Sequence, residues 1–312
     1  MTVLKNSKCT IVGGAGGLGS TMAFYIGLKN MFDTIVLLDK KENVLATHHI
    51  DLRECFIGET ATQIKTGSWK EAEGSDVVIM TAASTGHQVA SRNEYLSANL
   101  GLIKDTAKNI REYAPDSIVV VATAPTDVYV MIFLEELGFE RNRVVGYSHN
   151  DSQRFRWALG QVLNTDPVRL EGLVVGEHGE SQVPLFSTAR LDGKVLALTH
   201  EDKAKVKKIL DDWYPSWQAK DAGRTTTWST AVGMWRTLLG LTGGIFKGPL
   251  TGSVLATGEY GIHNVAVGLP LAPGPRGFTS VVELPLEESE LEALRASAVK
   301  VKELHEESTH IS

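Results

Sequence analysis

From Cys9 to Gly146 the chain alternates short apolar runs with amphipathic stretches of helical length. The runs fall at 9–12, 34–38, 63–66, 77–81, 118–122 and 143–145, and helix-like segments at 18–30, 41–56, 92–113 and 126–137 lie between most of them. Strand–helix–strand units close right-handed, and such alternation builds a parallel sheet covered on both faces. The pattern predicts a doubly wound α/β domain over 1–148. Sheets of this class take ligands outside the carboxyl ends of their strands. The residues just after each run are therefore the first place to look for chemistry.

After Asp151 the grammar changes. A helix over 152–163 leads into strands expected to be antiparallel, with a hairpin turn at Asp192-Gly193. Helices are expected over 201–219 and 225–241, and strands at 253–257, 264–268 and 279–284, the last two separated by the Pro/Gly-rich 270–277. A charged helix over 287–307 closes the chain. This reads as a second, α+β domain over 149–312, and 312 residues suffice for two domains sharing an interface.

The first run leads into Gly13-Gly14-Ala15-Gly16-Gly17-Leu18-Gly19, which contains G-x-G-x-x-G at Gly14, Gly16 and Gly19. Glycines between a strand and a helix permit a tight turn and bring backbone N–H groups to a pyrophosphate. Asp39 ends the second run, 25 residues beyond Gly14, near the place of an acid that binds adenosine ribose hydroxyls. A carboxylate there repels a 2′-phosphate, which favours NAD over NADP, although Lys40 and Lys41 follow it. The plainer alternative is a glycine-rich turn and an unrelated aspartate.

Three further stretches carry candidate chemistry. Residues 82–91 form a small, polar loop after the fourth run, holding Gly86 and His87, with Arg92 at its far hinge; such a loop can close and exclude water. Asp151 and Arg154 stand three apart at a helix start and so share a face. An arginine fork matches a carboxylate, and an aspartate beside a histidine fixes its tautomer. In Gly176-Glu177-His178-Gly179-Glu180 a histidine follows a strand-like run (170–175) on backbone kept bare by glycine. Its unperturbed pKa of about 6.5 suits proton exchange near neutrality. Each has a bland alternative: a solvated helix arginine, an intrahelical ion pair, an exposed loop histidine.

Composition narrows the partners. Thirty-one basic residues against thirty-seven acidic give a net charge of −6, with no basic excess to neutralise a nucleic acid. The two cysteines, Cys9 and Cys55, are too few for a disulfide framework and fit a reducing interior. No apolar run of about 18 residues occurs and the first eight residues lack a signal-peptide core, so a cytoplasmic protein without a membrane partner is expected. No metal site is expected; His48-His49 reads as helix surface.

Taken together, Gly14-x-Gly16-x-x-Gly19, Asp39, Thr81-Ala82, Arg92 with Asn99, Asp151-x-x-Arg154, Gly176-Glu177-His178-Gly179 and Thr225 resemble the lactate/malate dehydrogenase family, and more its lactate-type branch. The resemblance spans the chain from Cys9 to the last helix. It implies a Rossmann-type NAD-binding domain followed by a substrate domain, and reversible hydride transfer between NAD(H) and a 2-hydroxy or 2-oxo acid. It implies that His178 donates and accepts the proton at the C2 oxygen, that Asp151 holds it, and that Arg92, carried by the closing loop, polarises the C2 carbonyl. Arg154 would clamp the substrate carboxylate, with Gly86, His87, Ala124 and Thr225 around the substrate. Gly14, Gly16, Gly17, Leu18, Gly19, Asp39, Thr81, Ala82, Ala83 and Asn99 would bind NAD. A homo-oligomer, dimer or tetramer, is implied as well.

Two positions depart from the family pattern. Six residues before the loop arginine the family carries glutamine or arginine; here Gly86 stands, which removes a partner for a second carboxylate and leaves room for a larger side chain. Before the proline of 121–127 the family usually has asparagine; here it is Ala124. One lost hydrogen bond to a developing charge costs roughly 10²-fold in rate, unless Thr123 or His149 compensates. Glu171, where fructose-bisphosphate-activated members have histidine, argues against that activation. The expectation is a 2-hydroxy acid dehydrogenase for a substrate larger than lactate or malate. The alternatives are malate or lactate dehydrogenase proper, with His87 in recognition, or a non-catalytic NAD-binding protein. A metal-dependent glycosidase on a related fold lacks its cysteine and histidine site.

Overall fold

The computed structural model describes residues 7–83, 92–245 and 248–309, with the backbone only at 92–95. Its first half alternates β1 (Lys8–Val12), α1 (Gly17–Leu28), β2 (Thr34–Leu38), α2 (Glu42–Cys55), β3 (Gln63–Thr66), β4 (Val77–Met80), α3 (Arg92–Tyr113), β5 (Ile118–Val121), α4 (Thr126–Leu137) and β6 (Val144–Tyr147). The six strands pair in parallel in the order β3-β2-β1-β4-β5-β6. Every residue of β4, β5 and β6 is buried, as befits strands covered on both faces. The order reverses between β1 and β4, which opens a crevice at their carboxyl ends. Gly13, Asp39, Thr81, Thr123 and Ser148 all follow the strands that end there.

The second half adds α5 (His149–Leu163), β7 (Leu170–Glu171), β8 (Val174–Gly176), β9 (Gln182–Pro184), β10 (Arg190–Leu191), β11 (Lys194–Val195), α6 (His200–Gln218), α7 (Trp228–Leu241), β12 (Leu250–Thr257), β13 (His263–Gly274), β14 (Gly277–Val281) and α8 (Glu288–Thr309). All its strand pairs are antiparallel. Its strands do not form a separate sheet: β12 pairs antiparallel with β6, and β13, β8 and β9 extend the same sheet. The histidine loop after β8 is thereby set on the same sheet as the parallel strands. A smaller sheet, β11-β10-β7, holds the expected hairpin, with Asp192 at φ 50° and Gly193 at φ 78°. Both central residues at positive φ is the two-residue turn that matches strand twist.

Two expectations change. The run 170–175 is two strands in different sheets, and Gly172 between them packs so close to Phe155 that a Cβ would lie 2.7 Å from its ring. The Pro/Gly-rich 270–277 is not a break: β13 continues to Gly274. Proline removes a ladder donor and is tolerated at irregular or poorly paired positions; Pro273 sits at a register shift, and Pro270 lies beyond Gly268, where β8 pairs. Elsewhere the local signals hold. Thr199 and Asp202 form a capping box at α6, and Gly138 at φ 67° ends α4.

Candidate active site

The glycine turn is built by close approach. A Cβ on Gly19 would fall 2.3 Å from the Gly13 carbonyl oxygen, and one on Gly14 would fall 2.7 Å from Leu37 Cβ. Gly13 itself sits at φ 96°, against Ala82 N and Thr81 Oγ1. The Thr81 hydroxyl donates to the Val12 carbonyl at 2.9 Å, so β4 braces the turn. Helix α1 begins after Gly16 with no side-chain cap and no acid in its first turn. Its first N–H groups, at Gly17, Leu18 and Gly19, are the kind of uncapped donors that suit an anion. Asp39 lies beside them: Oδ2 accepts from Ala15 N at 3.1 Å and Oδ1 from Lys41 N at 3.1 Å. The donor set and the space kept by glycine fit a dinucleotide. Ala83 is exposed at the end of the described stretch, and Asn99 is fully buried in α3.

The second constellation centres on Asp151, in the first turn of α5 and 3% exposed. Its Oδ2 lies 2.5 Å from His178 Nδ1, and its Oδ1 accepts from Arg154 Nη1 at 2.7 Å. Burial alone would lift the carboxyl, but the charge and hydrogen bond of His178, then Arg154, outweigh it and hold its pKa below the ordinary range. Burial likewise works against a charged His178; the charge and hydrogen bond of Asp151 outweigh that and raise its pKa above the ordinary value. The imidazole remains 23% exposed, so it is reachable from the crevice.

The histidine loop is pinned through its backbone. His178 N donates to Asp127 Oδ2 at 2.9 Å, Glu177 N donates to Ser297 Oγ at 2.7 Å, and Ser181 N and Oγ donate to the Glu177 carboxylate. Asp127 is 2% exposed in the first turn of α4. Burial pushes its pKa up to about 6, against the pull first of the Ser253 hydroxyl and then of His178. No local pattern points to this role, because Asp127 and His178 stand 51 residues apart.

Around this centre the sequence expectations divide. Ala124 is exposed in the connection between β5 and α4, directly before Pro125. Thr123 does not take over the missing amide: it is buried, and its hydroxyl donates to the Ala82 carbonyl at 2.9 Å. His149 has no partner for either ring nitrogen among the described residues, and burial, then the charges of Arg236 and Arg156, push its pKa down to about 4. Thr225 is exposed, whereas the next threonine, Thr226, is half-buried and contacts the Thr230 hydroxyl, which accepts from Asn150 Nδ2 at 2.8 Å. Gly86 and His87 lie outside the described residues, as does the side chain of Arg92.

Residues 7–146 match the model of the lactate/malate dehydrogenase NAD-binding domain, and residues 149–311 match that family's alpha/beta C-terminal domain. The chain belongs to the lactate/malate dehydrogenase family. It is an NAD-dependent oxidoreductase acting on a CH–OH group, and its first half is the family's NAD-binding domain. The chain is 31% identical over 313 residues to a malate dehydrogenase of Bacteroides fragilis, covering 95% of this chain and 96% of that one. It is similar to the crystal structure of Cryptosporidium parvum malate dehydrogenase, at a TM-score of 0.89 and 28% identity over 98% of this chain and 99% of the other. The lactate dehydrogenase of the same organism, solved with lactic acid and the dinucleotide, superposes at a TM-score of 0.90 over 98% and 99% of the two chains; at 23% identity this shows the shared fold. Among the described residues no helix is long and apolar enough to cross a membrane.

Proposed function

We propose that this chain transfers hydride reversibly between NAD(H) and C2 of a 2-hydroxy or 2-oxo carboxylic acid, with His178 as the proton donor and acceptor. The observation that carries the reading is the shared carboxylate, Asp151, which binds His178 through one oxygen and Arg154 through the other. The nicotinamide, when bound, supplies or takes the hydride. His178 Nε2 is the ring nitrogen that Asp151 leaves for the C2 oxygen. It gives a proton in reduction and takes one in oxidation, and its raised pKa keeps the donor form populated near neutrality. Arg154 offers the substrate carboxylate the edge of its fork that Asp151 does not use. Family resemblance assigns Arg92 to the C2 carbonyl. Asp39 takes the ribose hydroxyls, and the turn at Gly14, Gly16, Gly17, Leu18 and Gly19 takes the pyrophosphate, backed by Thr81, Ala82, Ala83 and Asn99. The domains divide at residue 148.

The substrate's side chain is larger than that of lactate or malate. Gly86 replaces the family's glutamine or arginine, and Ala124 replaces its asparagine, so the chain offers small residues where its relatives place polar ones. A second reading, malate dehydrogenase proper, is favoured by the name of the Bacteroides fragilis relative. The protein is further read as a cytoplasmic homo-oligomer, in keeping with its family and its two free cysteines.

The test is NADH oxidation over a panel of 2-oxo acids from pyruvate and oxaloacetate to branched and aromatic acids. Preference for one larger acid supports the first reading, and highest kcat/KM on oxaloacetate the second. His178→Ala should bind NADH and lose turnover. Near-normal turnover by that variant would remove the histidine from the mechanism.

A further inference from the structure

The anion clamp is held from a side that the sequence motifs do not touch. The guanidinium carbon of Arg154 lies 3.7 Å from the centroid of the Trp213 ring, so the indole covers its face while Asp151 takes one edge. Trp213 stacks in turn on Trp217, at 5.6 Å between centroids and 17° between planes. The two are four residues apart on α6 and therefore neighbours on one face. The far end of the stack is anchored too: Trp217 Nε1 donates to the Arg224 carbonyl at 3.1 Å. Arg224 lies over the Trp228 ring at 4.5 Å and donates to Thr227 Oγ1 at 2.9 Å. Thr227 borders the glycine turn, its Cγ2 being 3.7 Å from where a Cβ on Gly17 would stand.

We propose that Trp213 is a positioning residue for the substrate carboxylate, an aromatic plate that holds the Arg154 fork flat with its remaining edge toward the ligand. The proposal rests on Arg154 binding the carboxylate, as read above. A guanidinium has five N–H donors in one plane and weakly hydrated faces. Stacking an indole on the face consumes no donor, fixes the plane, and leaves the in-plane hydrogen bonds for a carboxylate. Among the described residues Arg154 makes its one side-chain hydrogen bond through Nη1. Trp213 continues the face through which α6 packs at Val206 and Leu210, three residues beyond Leu210, but its ring is only half-buried and lies against the clamp.

The test is steady-state kinetics of the full-length protein with NADH saturating and the 2-oxo acid that the wild type reduces best. Trp213→Leu should raise KM about five- to thirtyfold while kcat stays within about threefold. Trp213→Phe, which keeps a stacking face, should recover most of that loss, and the pH limb that reports His178 should not move. Should the leucine variant fail to fold, Trp213→Met keeps bulk without the ring and is expected to show the same KM effect. The proposal is overturned if KM is unchanged, if the loss falls on kcat alone, or if phenylalanine restores no more than leucine or methionine. A wild type that reduces no acid at all would overturn the proposed function and this inference with it, whereas an active wild type with an indifferent Trp213 overturns the inference alone.

Discussion

Replacing Asp151 by asparagine perturbs both halves of the site while changing almost no volume. The carboxylate is buried and receives one charge-assisted contact at each oxygen, 2.5 Å from His178 Nδ1 and 2.7 Å from Arg154 Nη1. An amide retains one acceptor, so at least one of the two partners loses its bond. A hydrogen bond to a charged group contributes about 1.5–3 kcal/mol, which corresponds to roughly 10- to 150-fold in kcat/KM. If the amide turns its NH2 toward Nδ1 and imposes the wrong tautomer, the loss extends toward roughly 10⁴-fold. The pH profile is the sharper assay. In the proposed mechanism reduction needs protonated His178, so kcat/KM should fall as pH rises through its pKa, which in the wild type lies above the usual imidazole value. In the variant the charge and hydrogen bond that raise it are gone, while burial and Arg154 still lower it, and the limb moves to lower pH. The same pair links pH to stability. The raised histidine contributes stability present below its unfolded pKa and lost as pH rises through the folded one. The depressed aspartate contributes stability present above its unfolded pKa and lost as pH falls through the folded one. The variant's deficit in Tm should therefore be largest between about pH 4 and 6.5. An unmoved limb with turnover within about threefold, in a variant that still binds NADH, would refute the reasoning.

Asp127→Asn keeps an acceptor for the His178 backbone N–H but cannot ionise. Because the wild-type carboxyl is raised from 3.8 to about 6, the fold loses about 3 kcal/mol as pH rises through that interval, and the variant should lose this part of the decline in a Tm-against-pH series. Identical slopes would mean that Asp127 does not titrate there. Gly19→Ala sets a Cβ 2.3 Å from the Gly13 carbonyl oxygen, so the turn must shift. It should cost about 1–3 kcal/mol and weaken NADH binding measured by titration calorimetry. Gly101→Ala in α3, with open space around its Cβ, is the contrast and should stabilise by up to about 1 kcal/mol with NADH affinity intact.

What could be read from the sequence was local or periodic. The parallel strands announce themselves because both faces of β4 and β5 are buried, which writes them as unbroken apolar runs. The glycine turn is legible because the backbone there tolerates no Cβ at Gly14 or Gly19. Asp192-Gly193 is legible because its turn type demands positive φ. What escaped depends on contacts between distant elements. Trp213 looks like any helix tryptophan until α6 docks on α5 through Phe155, Leu159, Val206 and Leu210 and brings its ring over Arg154. Asp127 looks like an ordinary first-turn acid of α4 until β8 places the histidine loop above it. Within the run Thr225-Thr226-Thr227 the sequence cannot say which hydroxyl turns inward, and the fold turns Thr226 toward Thr230 and Asn150.

The placement of the departures bears on what the chain has kept and what it has altered. Asp151 and Arg154 ride the first turn of α5, and the backbone of His178 is fastened to α4 through Asp127, while its neighbour Glu177 is fastened to α8 through Ser297. Side chains held by packed helices and by buried hydrogen bonds lose little freedom when a ligand binds, and they cannot drift without breaking those bonds. Ala124, by contrast, falls on the connection that follows β5, where it is exposed and a substitution disturbs no core. Nor does the protein repair this departure from within: Thr123 spends its hydroxyl on the Ala82 carbonyl, and His149 is held neutral with both nitrogens turned into buried space. A decayed site would be expected to lose the costly part first, namely a buried aspartate whose charge burial opposes. Here that carboxylate is present and partnered at both oxygens. The roles proposed for Asp151, His178 and Arg154 therefore fall on residues fixed by packed helices and buried hydrogen bonds, whereas the proposed contact of Ala124 with the rest of the substrate falls on an exposed connection.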